Sequence, residues 1–198
     1  MVAYFYINEH ELAEALECGL KLSVYGKPIP ESGDIPIRAI HAYLSPRDNI
    51  EAFNDPGLVC LKLDLPGDKL LVAEEIYAII GKHKWFNESI IHASKYMLGR
   101  YHKPCYLITF TVLGEFISLL DKNMDVPVLY ENSASLYIQT LKTRFEDNDD
   151  EFYDKAFFGY MKLLVSMGKA SEEWSGHGTS VFLMDGERYV LHKPSDEI

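Results

Sequence analysis

YFYINEHELAEALECGLKLS, residues 4–23, sets three aromatic side chains directly against a short helical pattern that halts at a glycine. AYFYI (3–7) is aromatic and β-prone, and predicts a first strand. Asn8 with Glu11 three positions later has the spacing of a capping box, in which side chain and backbone satisfy each other at a helix start. Leu12, Ala15 and Leu16 form the apolar stripe of one helical face, and Gly19 supplies the left-handed residue that ends the helix.

Downstream, VYGKPIPESGDIP (24–36) is rich in Pro and Gly and predicts a surface loop. IRAIHAYLS (37–45) predicts a strand and PRDNIEAFND (46–55) a short helix begun by its proline. In GLVCLKLDLP (57–66), Val59, Leu61, Leu63 and Leu65 alternate with Cys60, Lys62 and Asp64, the pattern of a half-buried strand. Segments near 73–82, 86–101, 105–122, 133–146 and 151–168 read as helical, with caps at Asn87 and Ser133. Residues 105–120 stay open between strand and helix, because a short apolar run fits either. SVFLMDGERYVLHKP (180–194) is two extended runs joined by Asp-Gly, a hairpin signal. The order predicts a single α+β domain over 1–198: β-rich at 1–72, helical at 73–172, and closed by a hairpin at 178–193.

A chain of 198 residues, 47% hydrophobic and 25% charged, is large enough for one sizeable core. No apolar run reaches the roughly 20 residues that span a bilayer, and no secretory leader pattern opens the chain. Cys18, Cys60 and Cys105 are odd in number and unpaired in spacing. The expectation is reduced thiols in a cytoplasmic protein, without a zinc site. The net charge of −11 argues against general nucleic-acid binding, which depends on Lys and Arg neutralising phosphates. FEDNDDEFYD (145–154) carries six carboxylates but lacks the glycine and closing glutamate of a calcium-binding loop. It reads as a solvated connector.

Strand, short helix, Gly-Leu, loop, and a strand ending in a polar turn resembles the opening of the ADP-ribosyltransferase fold. In the DNA-targeting ADP-ribosyltransferase toxins, and more loosely in the RNA 2′-phosphotransferases, the first strand has the form Tyr-His-x-Thr. Tyr4-Phe5-Tyr6-Ile7 stands in that place here, and Gly19-Leu20 at the helix exit. AYLSPRDN (42–49) is similar to the aromatic-x-aromatic-x-Pro-Arg segment of the same toxins, and LVCLKLDLPGDKLLVAEEIY (58–77) to the strand and turn that follow. The resemblance covers about the first 77 residues and implies a split, mostly antiparallel sheet joining both chain ends, with NAD as cofactor in a cleft. It assigns Tyr4 or Tyr6 to stacking or hydroxyl contact, Arg47 to the pyrophosphate, and Glu187 to the catalytic carboxylate, Asp185 being the other hairpin carboxylate. Phe5 replaces the family histidine and Ile7 the threonine, which implies an eroded transferase site. The alternative is a non-catalytic interaction protein whose acidic surface meets a basic protein partner.

Outside that resemblance, SGHGTS (175–180) sets His177 between two glycines beside Ser175, Thr179 and Ser180, a flexible polar loop able to approach a ligand. A hydrolase built there lacks a GxSxG elbow. Neither GxGxxG nor GxxxxGK[ST] occurs, which removes the common nucleotide loops. Arg38 is a second candidate anion ligand, His10 reads as solvent-facing, and His41 as a core histidine.

Overall fold

The computed structural model describes residues 1–29, 38–75, 90–123, 126, 131–147 and 151–194. The chain divides into two compact units, one built from Met1–Lys82 with Glu88–Tyr137, the other from Ile138–Ile198. Both mix helix with antiparallel sheet, so the α+β expectation holds at that level.

The strands of the first unit are β1 (Val2–Asn8), β2 (Lys27–Pro28), β3 (Arg38–Tyr43), β4 (Leu58–Asp64), β5 (Leu71–Glu74), β6 (Ile91–His92), β7 (Pro104–Ile108) and β8 (Ile117–Leu119). They form one sheet in the order β6-β5-β7-β3-β1-β4-β8, and β2 adds to β3. The opening aromatic triplet is explained by β1 lying between β3 and β4 with both faces covered. Ala3, Phe5 and Ile7 join the main core with Leu61, Leu63, Ile40 and Ala42. Tyr4 and Tyr6 turn to the opposite face beside Cys60, Tyr43 and Leu120. A strand buried on both sides has no reason to alternate apolar with polar residues. β1 pairs with β4 over its whole length but meets β3 only at Tyr4–Tyr43.

The capping box forms: Glu11 Oε2 accepts the Asn8 backbone N–H at 3.2 Å and the Asn8 side-chain amide at 3.0 Å. Helix α1 (Leu12–Cys18) follows and ends at Gly19, whose φ is +79°. Glycine is required there twice over. The conformation is left-handed, and a Cβ would stand 2.2 Å from the Val112 carbonyl oxygen. That approach lets Leu20 and Val112 exchange backbone hydrogen bonds at 2.8 and 3.0 Å. A short helix α2 (Leu22–Tyr25) and β2 occupy part of the stretch expected to be a loop, and 30–37 lie outside the described residues.

The 46–55 helix is broken into a 3₁₀ turn (Pro46–Asp48) and α3 (Ile50–Asn54). Ser45 caps the first piece and Asn49 the second. The helical reading of the middle of the chain fails at three places. Residues 71–74 are strand; 91–95 are a short strand and a 3₁₀ turn; 104–108 and 117–119 are strands, which settles the ambiguous 105–120 run. β5 and β7 are buried almost throughout, so their continuous apolar character mimics a buried helix, whereas β6 and β8 are two- and three-residue edge strands too short to show a period. Asn87 lies outside the described residues.

The second unit carries most of helix α4 (Ser133–Asp147), then α5 (Glu151–Ser166), β9 (Ser171–Ser175), β10 (Thr179–Met184) and β11 (Glu187–His192). Both helices agree with expectation; β9 was not foreseen. The Asp-Gly hairpin forms with Asp185 at φ +53° and Gly186 at +82°, the twist that suits a two-residue hairpin turn. Phe182, Met184 and Leu191 of the hairpin and Phe157, Phe158 and Met161 of α5 are all buried. Phe158 meets Phe182 edge-on at 5.7 Å. One sheet shared by both chain ends is not what forms: among the described residues β10 pairs with β9 and β11, while β1 pairs with β3 and β4. Among those residues no helix is long and apolar enough to cross a membrane.

Candidate functional site

Three separate stretches of the first unit converge on one cleft of about 190 Å³, lined by Arg47, Asp48 and Ile50, by His102 and Lys103, and by Asn132, Ser133 and Ala134. Each stretch is held by a carboxylate or a cap. Asp48, at the end of its 3₁₀ turn, accepts the Ser45 N–H at 2.9 Å. It reaches across to the start of α4, accepting the Ser133 N–H at 2.6 Å and the Ser133 hydroxyl at 2.9 Å. Burial raises the Asp48 carboxyl above its ordinary range, and the bonds from Ser133 and Ser45 pull it back. Asn132, rather than the expected Ser133, caps α4 by accepting the Ser135 N–H at 2.8 Å.

Behind the His102–Lys103 turn lies Glu74, only 2% exposed, at the end of β5. Its two oxygens accept the backbone N–H groups of His102 at 2.9 Å and Lys103 at 2.8 Å. The Glu75 N–H closes the turn on the Lys103 carbonyl at 2.7 Å. Burial pushes the Glu74 carboxyl up to about 7, against the opposing pull of those two backbone donors. The carboxylate thus fixes the backbone while the side chains of His102 and Lys103 line the cleft.

Arg47 lies in this cleft, with its guanidinium carbon 5.6 Å from the centre of the Phe53 ring. Tyr6 is tied to the same segment, its hydroxyl donating to the Pro46 carbonyl, and burial raises its pKa. Lys122 stands over both Tyr6 and Phe53 and donates to the carbonyls of Asp55 (3.0 Å) and Leu58 (2.8 Å). Tyr6 is therefore a strut beneath the Pro-Arg turn. Tyr4 is buried against Cys60 and Leu120 and offers no open ring face. Against known families, curated proteins and solved structures, the chain matches none.

The other expected residues lie elsewhere. His177 is exposed in the β9–β10 turn, where Gly176 donates to the Thr179 carbonyl at 3.0 Å. Glu187 begins β11 in the second unit; it accepts from the Tyr189 hydroxyl and from Lys142 at 3.4 Å. Those two partners, the hydroxyl first, hold its carboxyl below the usual range. Asp185 is a turn residue. Arg38 donates to the Gly26 carbonyl. His10 is exposed, as expected. His41 is half-buried, its pKa lowered to about 4 by burial and then by Lys27; its Nε2 finds no hydrogen-bond partner among the described residues.

Sequence reading named Arg47 and missed its companions. Asp48 and Ser133 are 85 positions apart, and no local pattern announces that they touch. Two signals were available: the Ser45–Asp48 capping spacing, and adjacent His102-Lys103 just before an apolar strand.

Proposed function

We propose that the first unit binds a pyrophosphate-bearing ligand of the NAD type in the Arg47 cleft, as an ADP-ribosyltransferase-like module with an eroded transferase site. The supporting observation is the convergence of Arg47, His102 and Lys103, from remote positions, on one cleft of a chain whose net charge is −11. The guanidinium offers a planar fork that matches paired phosphate oxygens. The start of α4 is not an open anion site, since its Ser133 N–H is bound by Asp48 and its Ser135 N–H by Asn132, so the cations carry the recognition. Asp48 is the opposing charge in the cleft, and its oxygens are already engaged by Ser133 and Ser45.

The volume decides how much of the ligand enters. About 190 Å³ accommodates a pyrophosphate, whereas pockets that enclose whole drug-sized ligands run to roughly 300–1,000 Å³. The residues fit the phosphate end and not the ribose anchor of the family pattern. Phe5 packs edge-on to Tyr25 at 5.7 Å and Ile7 is buried in the core, so neither presents a donor. The erosion on β1, where Phe5 and Ile7 stand in place of the histidine and threonine, makes binding, rather than turnover, the primary activity.

Calorimetric titration with NAD, ADP-ribose and inorganic pyrophosphate tests the reading. Binding of the pyrophosphate-bearing ligands is expected, weakened at least tenfold in Arg47→Ala and in Lys103→Ala. Absence of heat at millimolar NAD and pyrophosphate defeats it.

A further inference from the structure

On the α1 side of the same sheet, away from the Arg47 cleft in sequence and in charge, Leu16, Leu113, Phe116 and Leu119 are 40, 53, 41 and 50% exposed. They are neighbours rather than scattered residues. The 3₁₀ turn Gly114–Phe116 presses on the end of α1 so closely that a Cβ on Gly114 would stand 2.2 Å from the Leu16 carbonyl oxygen and 3.5 Å from that of Glu17. A Cβ on Gly19 would stand 3.1 Å from the Leu113 Cα. Leu119 lies on the edge strand β8, opposite Leu61 and so in one cross-strand row with Phe5. The main core thus runs out to the surface at this edge, and single exposed leucines need no explanation where a contiguous group does.

The charge around the group is of one sign. Residues 1–20 and 104–121 contain no lysine or arginine, yet they carry Glu9, Glu11, Glu14, Glu17, Glu115 and Asp121. Glu17 and Glu115 directly follow the two backbone positions in contact, and both are exposed. Lys122, which directly follows Asp121, turns its ammonium to the opposite face over Tyr6, and Lys21 is already paired with Glu14 at 3.3 Å. Lys62 on β4 points to the opposite face from Leu61 and Leu119.

We propose that this apolar, acid-rimmed edge is a docking surface for a cationic amphipathic segment of another protein. Apolar anchors on the partner would cover Leu113, Phe116 and Leu119 while its lysines or arginines meet Glu17 and Glu115. Charge complementarity selects that occupant. A second copy of this chain would bring like charges face to face, and a purely basic segment would leave the leucines wet. The inference stands apart from the cleft and survives the failure of any nucleotide to bind there.

The test uses the full chain with three labelled synthetic peptides of equal length: a Lys/Leu amphipathic peptide, its Glu/Leu twin, and a Lys/Ser peptide lacking apolar anchors. Fluorescence anisotropy is expected to show the Lys/Leu peptide binding at least tenfold more tightly than either control. Its affinity should fall between 50 and 300 mM NaCl as the rim charges are screened. Leu113→Ser with Phe116→Ser should lower its affinity at least tenfold, and Glu17→Lys with Glu115→Lys should lower it and flatten the salt dependence. In the unaltered protein, amide exchange across 113–119 should slow when the Lys/Leu peptide is added, a readout that needs no variant to fold. Equal binding of the Lys/Leu and Glu/Leu peptides overturns the proposal, as does unchanged exchange at 113–119. So does a concentration-dependent dimer that the serine variant abolishes.

Discussion

Glu74→Gln isolates what burial of one carboxylate does to the first unit. Glu74 is almost wholly buried and its two backbone donors do not offset the loss of water, so its pKa lies at about 7 instead of 4.5. Between those values the unfolded chain has released a proton that the folded chain retains. Stability contributed by the protonated carboxyl is therefore complete below pH 4.5 and is lost as pH rises through 7. At ~1.4 kcal/mol per pH unit, the displacement amounts to about 3 kcal/mol. Glutamine cannot ionise, so the unfolding free energy of the native protein minus that of Glu74→Gln should fall by about 3 kcal/mol between pH 4.5 and 8. With a urea slope of about 2 kcal/mol/M, that difference moves the relative midpoint by roughly 1.5 M. The assay is urea unfolding followed by far-ultraviolet circular dichroism at half-unit pH steps. Taking the difference cancels the general repulsion that a charge of −11 creates as pH rises. Stability curves for the two proteins that run parallel across this range would refute the reasoning, because Glu74 would then be solvated or paired well enough to keep an ordinary pKa.

Gly19→Ala should lower stability by more than the ~1 kcal/mol of a left-handed residue alone, since its Cβ also meets the Val112 carbonyl at 2.2 Å; thermal unfolding would show it, and an unchanged midpoint would not fit. Asp48→Ala strands the donors of Ser45 and Ser133 and should cost about 2 kcal/mol or more, with Asp48→Asn recovering part of the loss in the same melts. A thiol reagent should modify Cys18 rapidly in the native protein, because it is exposed while Cys60 and Cys105 are buried. Burial also raises both buried thiols, Cys60 to about 11, so they should react only on unfolding; two fast thiols by absorbance titration would contradict the packing.

How far the sequence revealed the fold depended on whether an element's environment left a period in it. β4, with one face charged, alternates and was legible at Leu58–Asp64. The Asp-Gly hairpin was legible because its turn needs positive φ at both central residues, which few residue pairs supply. β5 and β7 were misread because they are covered on both faces; PCYLI is buried at every position, and such a run carries neither a two-residue nor a 3.6-residue period. The break after Asp48 was hidden for another reason. Ser45-Pro46 starts a helix correctly, but Asn49 takes a non-helical φ of −115° and starts a second one.

The cleft shows a further limit, one of topology rather than periodicity. Arg47 announced itself by a local pattern, Pro-Arg at a strand exit. The other cations reach it because β3 and β7 pair antiparallel, with Tyr43 opposite Cys105. That register sets the residues just after β3 beside those just before β7, so Arg47 and Lys103 become neighbours as a consequence of strand pairing. Asp48 then ties the start of α4 to the same corner. Each step follows from hydrogen bonds between residues far apart in the chain. A charge that looks isolated in an acidic sequence can therefore belong to a cluster, and strand register is the physical quantity that assembles it.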